Sequence, residues 1–176
     1  HILLYAFDLL YDIYLAEGYM EREIPKLILE KNLYGIDIDK RAFQLAYFSL
    51  MMKGRSKNKR FFNEKLDLNI MAIEESNDFP REALEYFCQS NTYLDREEIK
   101  RDLEYLLDIF TDAGEFGSIL KVENINYQLI ENRLEEIRNT RAKDMFELQY
   151  RDVILKKLPK LIKQARILGG KYDVMV

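Results

Sequence analysis

The sequence predicts an α/β domain that is rich in helix and is built around parallel strands. Two short apolar runs, at residues 33–36 and 66–73, have the composition of buried strands and alternate with helical segments. A third, alternating run closes the sequence at 169–176. Between the second and third runs the pattern is mostly helical, which predicts a large helical insertion in the sheet.

The first part of the chain reads as helix, helix, strand, helix, strand. Residues 2–17 repeat apolar side chains at a helical period, and a second helix at 23–31 leads into the strand at 33–36. Asp39 is placed to cap a third helix. One face of that helix carries small and apolar side chains that we expect to approach the sheet: Ala42, Leu45, Ala46, Ser49 and Met52. A polar, basic loop is predicted at 53–60.

The rest of the chain is predicted as helices, with one short extended piece at 118–122. We therefore divide the sequence into a first domain at 1–79, a helical insertion at 80–168 and a final strand at 169–176. The predicted helices of the insertion lie at 81–88, 95–112, 127–139 and 143–168.

Composition excludes several classes of protein. The formal charge of −4 argues against a surface that binds a polyanion over its whole extent. The single cysteine, Cys88, rules out an intramolecular disulfide and a cysteine zinc site, and it is predicted to be a small core residue. No apolar run approaches the roughly 20 residues of a membrane helix, so a cytoplasmic protein without membrane contact is expected. The abrupt start at His1 and end at Val176 suggest an internal piece of a larger protein.

An acidic turn at 33–39, Leu-Tyr-Gly-Ile-Asp-Ile-Asp, is the strongest indication of function. Ligands of open α/β sheets lie beyond the carboxyl ends of the strands, where an acid can accept hydrogen bonds from ribose hydroxyls. Asp37 fits that role, and Ile38 is placed to lie against an adenine ring. The alternative is that Asp37 and Asp39 only cap the next helix, although Asp39 alone would suffice.

A longer stretch around this turn, residues 33–53, resembles the second motif of gamma-class adenine DNA methyltransferases that use S-adenosylmethionine. Within that class it is similar to the PglX methyltransferases of BREX phage-defence systems, which are related to type IIG restriction-modification enzymes. Four other segments also resemble this family, at 1–8, 69–77, 115–121 and 170–176, so the resemblance covers essentially the whole chain.

The resemblance implies an incomplete Rossmann-like sheet and S-adenosylmethionine as the cofactor. Asp37 would hold the ribose and Ile38 would pack on the adenine. Glu75, or with less support Glu74, would contact the adenine amino group. The alternative for both glutamates is a solvated turn that precedes the helix after Pro80.

Two elements of the family are not found in these 176 residues. The glycine loop would precede His1, and the catalytic Asn-Pro-Pro-Tyr motif would follow Val176. The resemblance therefore implies no catalytic residue and no methylation by this chain alone. Duplex DNA and other defence-system proteins would be partners of the parent protein, and unpaired sheet edges would favour a homodimer of the piece.

Two basic clusters lie at 53–60 and along 151–166, and we interpret both as solvated surfaces. Two other functions stay open. A nucleotide-binding α/β enzyme of another class, such as a dehydrogenase, would use the same ribose-binding acid. A non-catalytic helical interaction module would instead use residues 80–168 as its working surface.

Overall fold

The computed structural model describes residues 2–63, 65–89 and 93–176, so that His1, at the start of the first predicted domain, lies outside the described residues. The chain folds into two compact units, His1–Ile73 and Glu74–Val176. Its helices and strands are α1 (Ile2–Ala16), α2 (Ile24–Leu27), β1 (Tyr34–Asp37), α3 (Lys40–Lys57), β2 (Asn69–Ala72), α4 (Arg81–Phe87), α5 (Tyr93–Ile109), α6 (Ala113–Phe116), α7 (Tyr127–Asn139) and α8 (Met145–Leu168).

The first unit contains a two-stranded parallel sheet, which confirms the parallel pairing and is compatible with the predicted helix-rich α/β class. β1 pairs with β2 in a register that sets Tyr34 opposite Asn69 and Asp37 opposite Ala72. α3 connects the two strands, as parallel pairing requires a crossover. β1 has the predicted length but begins and ends one residue later, whereas β2 is shorter than the apolar run at 66–73 because only four of its residues pair with β1.

The core of the first unit lies between α1, α3 and the turns that flank the sheet. Phe7, Leu50 and Phe61 are among its fully buried side chains. The backbone of Gly54 in α3 passes so close to the ring of Phe61 that a Cβ there would lie 2.6 Å from two ring carbons. A glycine at this point therefore lets the ring pack against the helix.

Two predictions for α3 are wrong. Residues 53–57 of the predicted basic loop continue the helix. Positive side chains in the last turn are stabilised by the negative, carboxyl end of the helix dipole. Lys53 also pairs with Asp8 at 2.8 Å. The predicted small-residue face is wrong for Leu45, which is 67% exposed, and for Met52, which is 46% exposed, whereas Ala42, Ala46 and Ser49 are partly buried. The side chains that pack on the core are Phe43, Tyr47, Leu50 and Met51.

The described residues of the second unit form helices joined by turns and loops, and no strand is found among them, as predicted for the insertion. The predicted apolar face of α5 is buried, with Leu103, Leu106 and Phe110 fully covered. Cys88 is buried, which confirms its assignment to the core. Among the residues that the structure describes, Asp102 is the one buried carboxylate, and it accepts the N–H of Asn126 at 2.8 Å, just before α7 begins.

Three predicted boundaries differ in the second unit. The compact unit begins at Glu74, whereas the insertion is predicted from residue 80, and Glu74 and Glu75 bond to helices of this unit. Residues 117–119 form a tight helical turn instead of the extended piece expected at 118–122. The strand expected at 169–176 is also absent, because the described part of this unit offers no strand to pair with it. Among the described helices, none has the length and apolar composition needed to cross a membrane.

Candidate functional site

Asp37 is the last residue of β1, at the carboxyl end of the parallel sheet. Its backbone oxygen accepts the N–H of Ile73 at 2.9 Å, which extends the pairing of the two strands by one hydrogen bond. Its carboxylate oxygen Oδ1 accepts the N–H of Asp39 at 2.8 Å. The exposed second oxygen, Oδ2, accepts no hydrogen bond within the described part of the chain. One carboxylate oxygen thus shapes the turn, while the other is available to a ligand.

Asp39 is the N-cap of α3, as the sequence predicts. Its Oδ1 accepts the N–H of Arg41 at 2.8 Å, which satisfies one of the free N–H groups of the first helical turn. The two acids of the turn are therefore distinct in their contacts. Asp39 has a sufficient structural role, whereas Asp37 has only half of its carboxylate engaged.

Ile38 lies between the two acids and is 57% exposed. An isoleucine side chain on such a turn presents apolar surface to solvent, and covering that surface with an aromatic ring would be favourable. The position of Ile38 beside an available carboxylate suits a ligand that has both hydroxyl groups and a flat apolar ring.

Glu75 belongs to the second unit, in the turn at 74–78 that precedes α4. Its Oε1 accepts the N–H of Gly114 in α6 at 3.1 Å, and its Oε2 has only a long contact of 3.5 Å with the side-chain amide of Asn77. Glu75 is exposed and keeps one weakly engaged oxygen. Glu74, the second choice from the sequence, has Oε1 bonded to Lys160 at 2.8 Å and is less available.

Both basic clusters have cations that already contact other side chains of the chain. In the cluster of α8, Lys157 lies 3.9 Å from Asp78, Lys160 pairs with Glu74, and Arg166 pairs with Glu131 at 2.8 Å. In the earlier cluster, Lys57 lies over the ring of Tyr11 at 4.2 Å. These contacts agree with the interpretation of both clusters as parts of the folded surface rather than as phosphate sites.

No group of three or more metal-ligating side chains occurs in the described ranges. Sequence reasoning did not identify the contacts that the turn at 74–78 makes with Lys157, Lys160 and Gln164 of α8 and with Gly114 of α6. Their partners are 39 to 90 residues away along the chain, so no local pattern marks them.

No protein-family model matches the sequence. Two curated proteins match the sequence along its whole length. The adenine-specific methyltransferase PglX of Lacticaseibacillus casei is 33% identical over the whole of this chain, and the adenine-specific methyltransferase BrxX of Escherichia coli is 30% identical over the same extent. The chain spans only 14% and 16% of the lengths of these relatives. The resemblance seen in the sequence is thereby confirmed: this chain is related, along its full length, to one segment of the PglX and BrxX family of adenine-specific methyltransferases.

Proposed function

We propose that this chain forms part of the S-adenosylmethionine-binding region of an adenine-specific DNA methyltransferase. The parent reaction is transfer of a methyl group to the exocyclic amino group of adenine in duplex DNA, in phage defence or restriction-modification. The names of both relatives support the reaction class. The observation that carries the cofactor assignment is the available oxygen of Asp37 at the carboxyl end of a parallel strand.

Two residues of the first unit fit the nucleoside part of the cofactor. Asp37 Oδ2 would accept a hydrogen bond from a ribose hydroxyl, and the exposed side chain of Ile38 would cover part of the adenine ring. Glu75, which belongs to the second unit, is assigned to the adenine amino group from the resemblance alone. S-adenosylmethionine itself supplies the methyl group, while these side chains bind and orient its nucleoside part.

The parallel pair of strands is proposed to be part of a Rossmann-like sheet. In this proposal residues 1–79 contribute to the catalytic domain, 80–168 are the helical insertion, and 169–176 lead towards the catalytic motif. Duplex DNA and other defence-system proteins are the partners proposed for the parent protein, which acts in the cytoplasm.

An NMR titration tests this function against its main alternative, a dinucleotide enzyme. The isotope-labelled chain is titrated with S-adenosylmethionine and, separately, with NAD. We expect weak binding of S-adenosylmethionine, with shifts of the amide signals of Asp37, Ile38 and Glu75, and smaller shifts with NAD. Stronger binding of NAD, or shifts confined to other residues, would contradict the proposal.

A further inference from the structure

A cavity of about 490 Å³ lies between the end of α8 and the loop that precedes α7. Both elements belong to the second unit, so the cavity forms within a single compact unit. A volume of this order is typical of sites for small ligands. The side chains that give the cavity its chemistry are two cations, an acid, an amide and an aromatic ring: Arg166, Lys171, Glu123, Asn124 and Tyr127.

Hydrogen bonds hold both walls of the cavity in place. The loop wall ends at Asn126, whose N–H donates to the buried carboxylate of Asp102 at 2.8 Å. In the other wall, the hydroxyl of Tyr172 donates to a backbone oxygen in the last turn of α8 at 2.7 Å and folds the chain back towards that helix. A Cβ on Gly169 would lie 2.8 Å from the backbone oxygen of Val122, so the glycine lets the two walls approach each other. The cavity is therefore a fixed part of the fold.

Arg166 brings a flat guanidinium group to the cavity. The guanidinium carbon lies over the ring of Tyr127, 5.1 Å from the ring centre, and Nη2 pairs with Glu131 at 2.8 Å. These contacts fix the plane of the group and balance its charge, while 49% of the side chain stays exposed. A guanidinium plane with a ring on one face can stack a second flat ring on its other face. Arg166 is therefore suited to a nucleobase rather than to a phosphate.

The other polar side chains of the cavity are a cation, an acid and an amide. Lys171 and Glu123 are exposed, and neither is in an ion pair among the residues that the structure describes. A lysine ammonium binds phosphate oxygens, and a carboxylate accepts hydrogen bonds from amino groups. The side-chain amide of Asn124 offers both a donor and an acceptor. This set matches a ligand that carries both a negative group and N–H donors.

We propose that this cavity binds one nucleotide, whose base stacks on Arg166 and whose phosphate pairs with Lys171. Glu123 and Asn124 contact the edge of the base, so a base with an exocyclic amino group, such as adenine, is preferred over uracil. The nucleotide is a free monophosphate or one residue of a single strand, since both offer the same base and phosphate. None of these residues takes part in the contacts proposed for S-adenosylmethionine, so the inference does not depend on that proposal.

NMR titrations of the isotope-labelled chain with AMP, UMP, adenosine and inorganic phosphate test the site. We expect AMP to shift the amide signals of Asn124, Gly169 and Lys171. Adenosine and inorganic phosphate should each bind about tenfold more weakly, because each keeps only one of the two main contacts. UMP should also bind more weakly than AMP. Absence of these shifts with AMP, or binding of AMP that is no stronger than that of UMP or of inorganic phosphate, would overturn the proposal.

Variants assign the two main contacts, after circular dichroism has shown that each variant is folded. Lys171→Met should weaken the binding of AMP about tenfold. The control Lys156→Met removes an exposed cation of α8 that does not line the cavity and should leave the affinity unchanged. Arg166→Lys keeps a cation opposite Glu131 but removes the planar group, so it should weaken AMP about tenfold and leave inorganic phosphate unaffected. Unchanged AMP affinity in Lys171→Met or in Arg166→Lys, or an equal loss in the control, would overturn the assignment.

A short single strand distinguishes the two sources of the nucleotide. The chain is titrated with a trinucleotide of adenylate beside AMP. Tighter binding of the trinucleotide assigns the cavity to one residue of a strand, because neighbouring residues add contacts. Equal or weaker binding assigns it to a free monophosphate. Failure of both ligands to shift the signals of the cavity would overturn the nucleotide site.

Discussion

Replacement of Gly54 by alanine tests how tightly the first unit is packed. Gly54 lies in α3 against the ring of Phe61, and an added Cβ would meet two ring carbons at 2.6 Å. Because Phe61 is fully buried in the same cluster as Phe7 and Leu50, its ring can move only by displacing other core side chains. The substitution therefore forces the core to rearrange.

Two effects of opposite sign decide the result. Alanine is favoured over glycine in a helix interior by about 1 kcal/mol. Overpacking of a core costs about 1–3 kcal/mol, and a contact this short against a fully buried ring is expected near the upper end. We therefore expect Gly54→Ala to lower the free energy of unfolding by about 2 kcal/mol.

Urea unfolding followed by circular dichroism measures the change in the free energy of unfolding. The same substitution made in a Phe61→Leu variant identifies the cause of the change. In a Phe61→Leu background the planar ring is gone, so the added methyl group should be neutral or stabilising by up to about 1 kcal/mol. A Gly54→Ala variant that is more stable than the wild type would refute the close packing of helix and ring. Equal destabilisation in both backgrounds would refute Phe61 as its cause.

Three further predictions concern the turn, the cysteine and the reaction. Asp39→Ala should lower the free energy of unfolding by about 1 kcal/mol through loss of the helix cap, whereas Asp12→Ala, at an exposed position of α1, should leave it unchanged; urea unfolding distinguishes them. Burial, and to a smaller extent repulsion from Glu104, raises the pKa of the Cys88 thiol to about 11. Labelling of Cys88 by a disulfide reagent at pH 8 should therefore be slow in the folded chain and rapid in urea. Rapid labelling of the folded chain would contradict this prediction. The chain should transfer no labelled methyl group from S-adenosylmethionine to duplex DNA, since its sequence contains no Asn-Pro-Pro-Tyr motif, and measurable transfer would disprove that expectation.

The acidic turn is the part of the structure that the sequence predicts best. A strand that ends at an acid, followed two residues later by a capping acid and a helix, is a local pattern. Its hydrogen bonds join residues two positions apart, so short-range rules suffice to place Asp39 as the cap. The hydrogen bond that Asp37 accepts from the N–H of Asp39 is equally local. The interpretation of Asp37 as a ribose ligand did not predict this hydrogen bond.

The buried face of α3 could not be read from periodicity because apolar side chains occur all around this helix. Leu45 and Phe48 are exposed while Phe43 and Tyr47 pack on the core, and the positions of α1 and of the two strands decide which side is buried. The sequence pattern also does not predict that residues 53–57 are helical. A run of lysine and arginine is typical of loops, but contacts such as Lys53 with Asp8, 45 residues earlier, favour the helix.

The final segment and the turn at 74–78 depend on partners that are distant in sequence. Residues 169–176 have an alternating pattern, but a strand forms only beside another strand, and none is available among the described residues of that unit. The contact of Gln164 with Glu74 spans 90 residues. A glutamine in a helix carries no signal that it will be buried, so only the fold reveals it.

The affinity of the chain for S-adenosylmethionine with and without the carboxylate of Asp37 tests the central claim most directly. Asp37→Ala and the control Asp12→Ala are titrated side by side by NMR, after circular dichroism has shown that both are folded. A hydrogen bond to a charged group contributes about 1.5–3 kcal/mol, so Asp37→Ala should bind about 10- to 100-fold more weakly than the wild type, and the control should bind equally well. Unchanged affinity in Asp37→Ala would remove Asp37 from the cofactor site and contradict the account.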